Sequence, residues 1–328
     1  MRAWLSRVSV DTFLLLLVAV VVLATVLPAR GPAADVLSVA TKVVIALLFL
    51  LYGARLSPQQ AWHGIRQWKL HLLVLATTFV AFPLLGLAAR ALVPSVLTDD
   101  LYLGLLFLCL VPSTVQSSIA FTSMARGHVS AAIVSASLSN IVGVFLTPLL
   151  VLVLMPIGGA PRVDGSAVLD IVLQLLAPFA IGQLLRPWLA PVVTRHAVLT
   201  KVVDRGSILL VVYAAFSAGM TAHIWSSVQP WRVVAVAVVS TLLLAIVLAL
   251  TWFTGRLARL DRGDAIVLLF CGSKKSLASG LPMALVLFPP ATVGLIMLPL
   301  MLFHQIQLFV CAVIASRLGR DAPPISSG

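Results

Sequence analysis

Two polar stretches interrupt apolar runs of this chain. "FCGSKKSLASG", Phe270 to Gly280, sets Lys274 and Lys275 among Ser273, Ser276 and Ser279; "VPSTVQSS", Val111 to Ser118, sets Ser113, Thr114, Gln116, Ser117 and Ser118 around Pro112. Hydroxyls and amides at such depth can line a path for a polar solute, and ammonium groups can neutralise an anion. A lysine at the centre of an inserting helix costs about 2.5 to 3.5 kcal/mol, so the pair costs roughly 5 to 7, against roughly 3 to 6 returned by about ten large apolar residues of the same run. The lysines are therefore expected to face the protein interior or a water-filled path, not lipid.

No carboxylate is at hand to neutralise them. The chain has no glutamate, and its ten aspartates lie in loops or near the ends of apolar runs. Lys274 and Lys275 must then be met by backbone carbonyls, by water, by an anionic ligand, or by one of them staying neutral. The anionic ligand is the functional reading, and a structural clamp on carbonyls at a helix break is the alternative. Asn140, in the next apolar run after "VPSTVQSS", and His304, a proton-titrating group in the last run, complete the candidate set. An intramembrane enzyme built on Ser276 would need a lysine placed as its base and an oxyanion hole.

The elements that must position these groups follow from composition. Of 328 residues, 61% are hydrophobic and 10% charged, and the mean hydropathy is +1.13, which excludes a water-soluble fold and predicts an all-α polytopic membrane protein. Ten runs are long enough to span a bilayer: Thr12 to Pro28, Ala33 to Gly53, Leu70 to Leu92, Leu101 to Met124, Ala131 to Met155, Val168 to Leu189, Val202 to Ala222, Val233 to Thr254, Ala265 to Pro289 and Thr292 to Ala315. They fill residues 1–328 as one transmembrane domain. The first run follows a basic start, "MRAWLSR", and is expected to be a retained helix, not a cleaved signal. Cys109, Cys271 and Cys311 lie inside runs, with neither a disulfide framework nor metal-ligand spacing.

The net charge of +12 is spread over short loops, so it reports topology and not a nucleic-acid partner. With a cytoplasmic N-terminus, fifteen Lys and Arg fall on inside segments and four (Arg30, Arg90, Arg162 and Arg232) on outside loops, which places both termini, including the tail 316–328, in the cytoplasm.

"TKVV" occurs at Thr41 to Val44 and at Thr200 to Val203, an offset of 159 residues. The same offset carries Pro112 of the fourth run onto Cys271 of the ninth, so matching runs of two five-run halves are interrupted at matching places. An odd number of spans per half makes the halves inverted, about 12–155 and about 168–315. Broken spans in inverted halves point to the binding site of a secondary transporter. Pro112 and the Gly272–Ser273 pair are expected to open the two helices, with second half-helices starting near Thr114 and Lys274 and presenting positive dipole ends.

With a proline break in the fourth span followed by "SMARGHVSAA" and a Ser/Gly-rich break in the ninth, the chain resembles the bile acid:sodium symporter family. The run "CGSKKSLASGLPMA", Cys271 to Ala284, is similar to the branch that includes solute carrier family 10 member 7 and bacterial relatives. The resemblance implies a panel domain from spans 1, 2, 6 and 7 beside a core domain from spans 3 to 5 and 8 to 10, with discontinuous helices 4 and 9 crossing in the core. In sodium-coupled members of the family the resemblance implies that the ninth-span break supplies a glutamate and a Gln-Asn pair to sodium; this chain departs there, the glutamate position falling near Phe270 and Lys274 and Lys275 standing where the Gln-Asn pair would be. An ammonium can supply a sodium ion's charge with no ion to transport.

The expectation is a secondary transporter of a small organic anion in the cytoplasmic (inner or plasma) membrane. No cofactor is expected, and coupling is to sodium, to protons through a lysine or His304, or absent. The alternative is a transport-silent regulatory membrane protein affecting ion homeostasis.

Overall fold

The computed structural model describes residues 12–55, 67–155, 172–221 and 229–320. The basic start, the loop with Arg162, the first residues of the sixth run and the tail from Asp321 lie outside them.

All regular structure among the described residues is helical. The chain opens with α1 (Thr12–Val26), α2 (Pro32–Arg55) and α3 (Trp68–Leu92), the last containing a π turn at Thr77–Ala81. Next come α4 (Asp99–Leu110), α5 (Gln116–Met124) and α6 (Val129–Leu154). A π turn at Val172–Leu176 leads into α7 (Ala177–Leu184), followed by α8 (Arg186–Arg195) and α9 (Ala197–Thr221). The last group is α10 (Pro230–Leu257), α11 (Arg262–Ser273), α12 (Leu277–Leu287) and α13 (Pro290–Arg320).

Five of these helices, in α2, α3, α6, α10 and α13, are long and apolar enough to cross a bilayer. Their outward residues are the large apolar ones: Val36, Val153 and Phe253 are 70%, 69% and 65% exposed, a surface that calls for hydrocarbon around it. Polar side chains are instead buried, among them Lys274, Lys275 and Gln307 at 0% exposure.

The chain divides into two compact units. The first holds α1, α2 and α7 to α9 with residues 288–294. There Gly53 of α2 and Gly182 of α7 bring two backbones together: a Cβ on Gly53 would collide with the Phe179 carbonyl oxygen, and one on Gly182 with that of Leu50. Gln183 Nε2 donates to the Gly53 carbonyl at 2.8 Å beside this crossing.

The second unit holds α3 to α6, α10 to α12 and α13 from Leu295 onward. Local signals start its short helices. Thr98 caps α4, its Oγ1 accepting from Leu101 N–H at 3.3 Å, with Asp99 and Asp100 in the first turn where negative charge meets the positive helix end. Asp261 caps α11, accepting from Asp264 N–H at 2.9 Å.

The sixth run was expected to continue to Leu189. It instead stops at Leu184, and α8 starts at Arg186 with Pro187 in its first turn. A proline without an N–H suits a helix start and not an interior.

Candidate functional site

Three backbone carbonyls in the second unit lack their usual helical partner. In the π turn of α3, Phe82 N–H reaches back to the Thr77 carbonyl. That leaves Thr78 waiting for residue 83 in the same pattern, and Pro83 has no N–H to give. In the fourth span the helix ends at Leu110, and Val111 is extended at φ −75°, ψ 155°. The Cys109 carbonyl would be met by Ser113 N–H, which bonds Ser139 Oγ at 3.1 Å instead. The Val111 carbonyl belongs to the unwound segment itself.

Lys275 takes all three. Its Nζ donates to the carbonyls of Thr78 at 2.9 Å, Cys109 at 2.9 Å and Val111 at 2.8 Å and lies 4.1 Å from the centre of the Phe82 ring. Three donors meet three acceptors, which satisfies an ammonium completely. The main chain of Lys275 is held by a third element: Gln307 of α13 accepts from its N–H at 2.9 Å and donates to its carbonyl at 2.9 Å. His304 Nδ1 bonds the same amide at 2.9 Å, so His304 reaches the break through Gln307.

Lys274 is equally buried and differently served. Its Nζ bonds Ser117 Oγ at 3.3 Å and lies over Phe121 at 4.1 Å and Phe270 at 5.7 Å, a cation–π setting.

The two breaks bond to each other. Ser276 N–H donates to the Pro112 carbonyl at 2.8 Å, while Ser113 Oγ donates to the Cys271 carbonyl at 2.6 Å and Ser118 Oγ to that of Phe270 at 3.2 Å. Last-turn carbonyls of α11, which its ending leaves without helical partners, are thus capped by the fourth span. Asn140 ties in α6, with Nδ2 donating to the Ser113 carbonyl at 2.8 Å and Oδ1 accepting from Ser279 Oγ at 2.8 Å. Ser276 Oγ accepts from Ser279 N–H at 3.1 Å and caps α12. Ser273 Oγ donates to the Leu269 carbonyl within α11, and Thr114 Oγ1 bonds Ser117 and Ser118 at 2.8 and 3.0 Å.

Of the residues singled out in the sequence, Gln116 stands apart, exposed at the start of α5. Two positions need correction. The unwound part of the ninth span is Lys274 to Ser276, with α12 starting at Leu277, and α5 starts at Gln116, not near Thr114. Gly272 is still helical; a Cβ there would lie 3.0 Å from Thr251 Cγ2, so this glycine admits a neighbouring helix and does not open its own. The helix opens where Gln307 and Pro112 capture the N–H groups of Lys275 and Ser276. The Ser276 hydroxyl donates to Ser279 Oγ at 3.0 Å.

Ser139 and Ser279 complete the site together with Thr78, Phe82 and Phe121, and these last three were not singled out in the sequence. Pro83, one residue past Phe82, is the one signal that could have pointed to Thr78.

A family model described as the SBF-like CPA transporter family matches residues 11–320. The chain belongs to this family. It is 52% identical over 311 residues to an uncharacterized protein of Pseudomonas aeruginosa, covering 94% of this chain and 93% of that one. It is 47% identical over 319 residues to "Putative symporter YfeH" of Escherichia coli, covering 97% and 95%. It is 24% identical over 319 residues to sodium/bile acid cotransporter 7 of Danio rerio, covering 94% of each. Membership of this transporter family, together with the apolar helices, makes the chain a multi-pass membrane protein and a transporter.

Proposed function

We propose that the protein moves a small organic anion through the cytoplasmic membrane as a secondary transporter whose central cation is part of the chain. The observation that carries this reading is the seat of Lys275 Nζ on the carbonyls of Thr78, Cys109 and Val111. Carbonyl oxygens pointed at one centre suit a metal cation or an ammonium alike. In a chain without glutamate, a permanent positive charge at the joined breaks favours an anionic solute, and the uncapped first turn of α5 adds N–H donors on the same side of the balance.

In this reading ten spans form two inverted repeats, about 12–155 and about 168–315, with both termini cytoplasmic. The division into units supports a panel of spans 1, 2, 6 and 7 and a core of the rest. Sodium is dispensable, because its charge is already supplied. The relatives named as sodium cotransporters make the contrast a direct test.

Uptake of a panel of organic anions into proteoliposomes, with and without a sodium gradient, is expected to be unchanged by sodium and abolished in Lys275→Ala. Strict sodium dependence that survives in Lys274→Ala and Lys275→Ala would refute the internal cation.

A further inference from the structure

Lys274 and Lys275 are neighbours with opposite hydrogen-bond accounts. An ammonium carries three N–H donors and cannot accept. Lys275 places all three on carbonyls. Lys274, with the same 0% exposure, finds among the described residues one acceptor, Ser117 Oγ at 3.3 Å, and that hydroxyl is already engaged with Thr114 Oγ1 at 2.8 Å. The faces around it are those of Phe121 from α5 and Phe270 from α11. The titratable groups that act on it are the buried thiols of Cys271 on α11 and Cys311 on α13. A thiol is no counter-ion at neutral pH.

An ammonium in that enclosure would keep two donors unmet in a low-dielectric surrounding, which is the costly state for a buried charge. A neutral amine fits it better: it carries no charge to be met, and its lone pair can accept from the Ser117 hydroxyl at the 3.3 Å contact. An exposed, uncapped helix start lies next to Ser117 in sequence. The residue before α5, Val115, gives that helix no side-chain cap, its first residue Gln116 is exposed, and Ser117 follows directly. The first-turn N–H groups therefore lead from an exposed position to the hydroxyl that Lys274 touches.

We propose that Lys274 is the proton carrier of this transporter, a neutral amine in the enclosed conformation that becomes an ammonium when a small organic anion docks at the start of α5. The Nζ lone pair takes one proton on the side where the anion enters, the ammonium and the anion neutralise each other in transit, and both anion and proton leave on the other side. Lys274 carries one proton per anion, so a monoanion crosses neutralised and a dianion keeps one negative charge, and no further reactant is needed. The inference rests on the transport reading above.

Full-length protein in detergent, with nitrogen-15 in its lysine side chains, tests the amine directly. The Lys274 signal is assigned by its loss in Lys274→Arg, or in Lys274→Met should the arginine variant not fold. The expected result is an amine shift for Lys274 at about pH 8 and an ammonium shift at about pH 5, with Lys275 an ammonium at both. A Lys274 signal in one form at both pH values overturns the proposal.

Proteoliposomes given succinate, tartrate or isethionate, corrected for empty liposomes, provide the second readout. An acid-outside gradient is expected to speed uptake up to about tenfold per pH unit in the wild type, as the protonated fraction changes, and not in Lys274→Arg. Uptake indifferent to the gradient overturns the proton carrier and leaves the transport reading standing. A Lys274 that changes form as expected, in liposomes that take up none of the three anions, overturns the organic-anion reading and keeps the proton site.

Discussion

At the scale of the residue, two identical side chains in sequence do different physical work. Replacing Lys275 by methionine leaves the Thr78, Cys109 and Val111 carbonyls buried without donors, each at a cost of about 1 to 3 kcal/mol. Lys275→Met is therefore expected to lower the thermal midpoint sharply or to prevent accumulation of folded protein. Lys274→Met removes a poorly served buried amine, so its midpoint in the same detergent melt should stay near or above that of the wild type. The lysines, Asn140 and the Ser113 to Ser118 segment could all be found in the sequence because polar groups stand out in apolar runs. The Thr78 carbonyl could not, because a backbone oxygen has no letter of its own; its release needs a π turn together with Pro83, in a run whose side-chain pattern is ordinary. Gln307 lies one helical turn past His304, but its grip on the Lys275 main chain depends on where α13 lies.

At the scale of the element, glycine positions record where helices touch. Gly182→Ala must push α7 away from the Leu50 carbonyl, whereas a Cβ on Gly206 in α9 meets nothing within 4 Å. Overpacking of this kind costs about 1 to 3 kcal/mol, while an unobstructed helical glycine gains about 0.5 to 1 kcal/mol on becoming alanine. Chemical denaturation should therefore move the midpoint down for Gly182→Ala and slightly up for Gly206→Ala. Long helices were readable from apolar run length and the fourth-span break from Pro112, whereas the stop of the sixth run at Leu184 was not. The ninth-span break was readable only to within a few residues, because the atoms that open it, the Gln307 amide and the Pro112 carbonyl, come from other helices. The repeated "TKVV" leads to no shared role: Thr41 Oγ1 bonds the Leu37 carbonyl and Thr200 Oγ1 those of Val193 and His196, all local contacts.

At the scale of the whole molecule, composition already dictated a helical membrane protein, since no soluble fold could cover so much apolar surface. A pH-sensitive contact joins the broken spans outside the apolar region: His128, between α5 and α6, bonds Asp264 at the start of α11, Nδ1 to Oδ1 at 2.8 Å. The hydrogen bond to Asp264 raises the His128 pKa above its ordinary value, with the nearby charges of Asp261 and Asp264 adding to it and partial burial opposing. A folded-state value above the unfolded one means that the contact stabilises fully below about pH 6.5 and loses its contribution as pH rises through the folded value. The difference in thermal midpoint between wild type and His128→Gln should accordingly be largest below about pH 6.5 and shrink as pH rises above it. Half-exposure of the histidine, at 50%, keeps the effect modest through solvent screening.

The three partners of the Lys275 ammonium are main-chain oxygens, and every residue type supplies one. Saturation mutagenesis should therefore find an asymmetric tolerance: position 275 accepts almost nothing, while positions 78, 109 and 111 accept substitutions of similar volume. A search for compensating changes at those three positions would come back empty, because the lysine is matched to a shape of the chain and not to any letter in it.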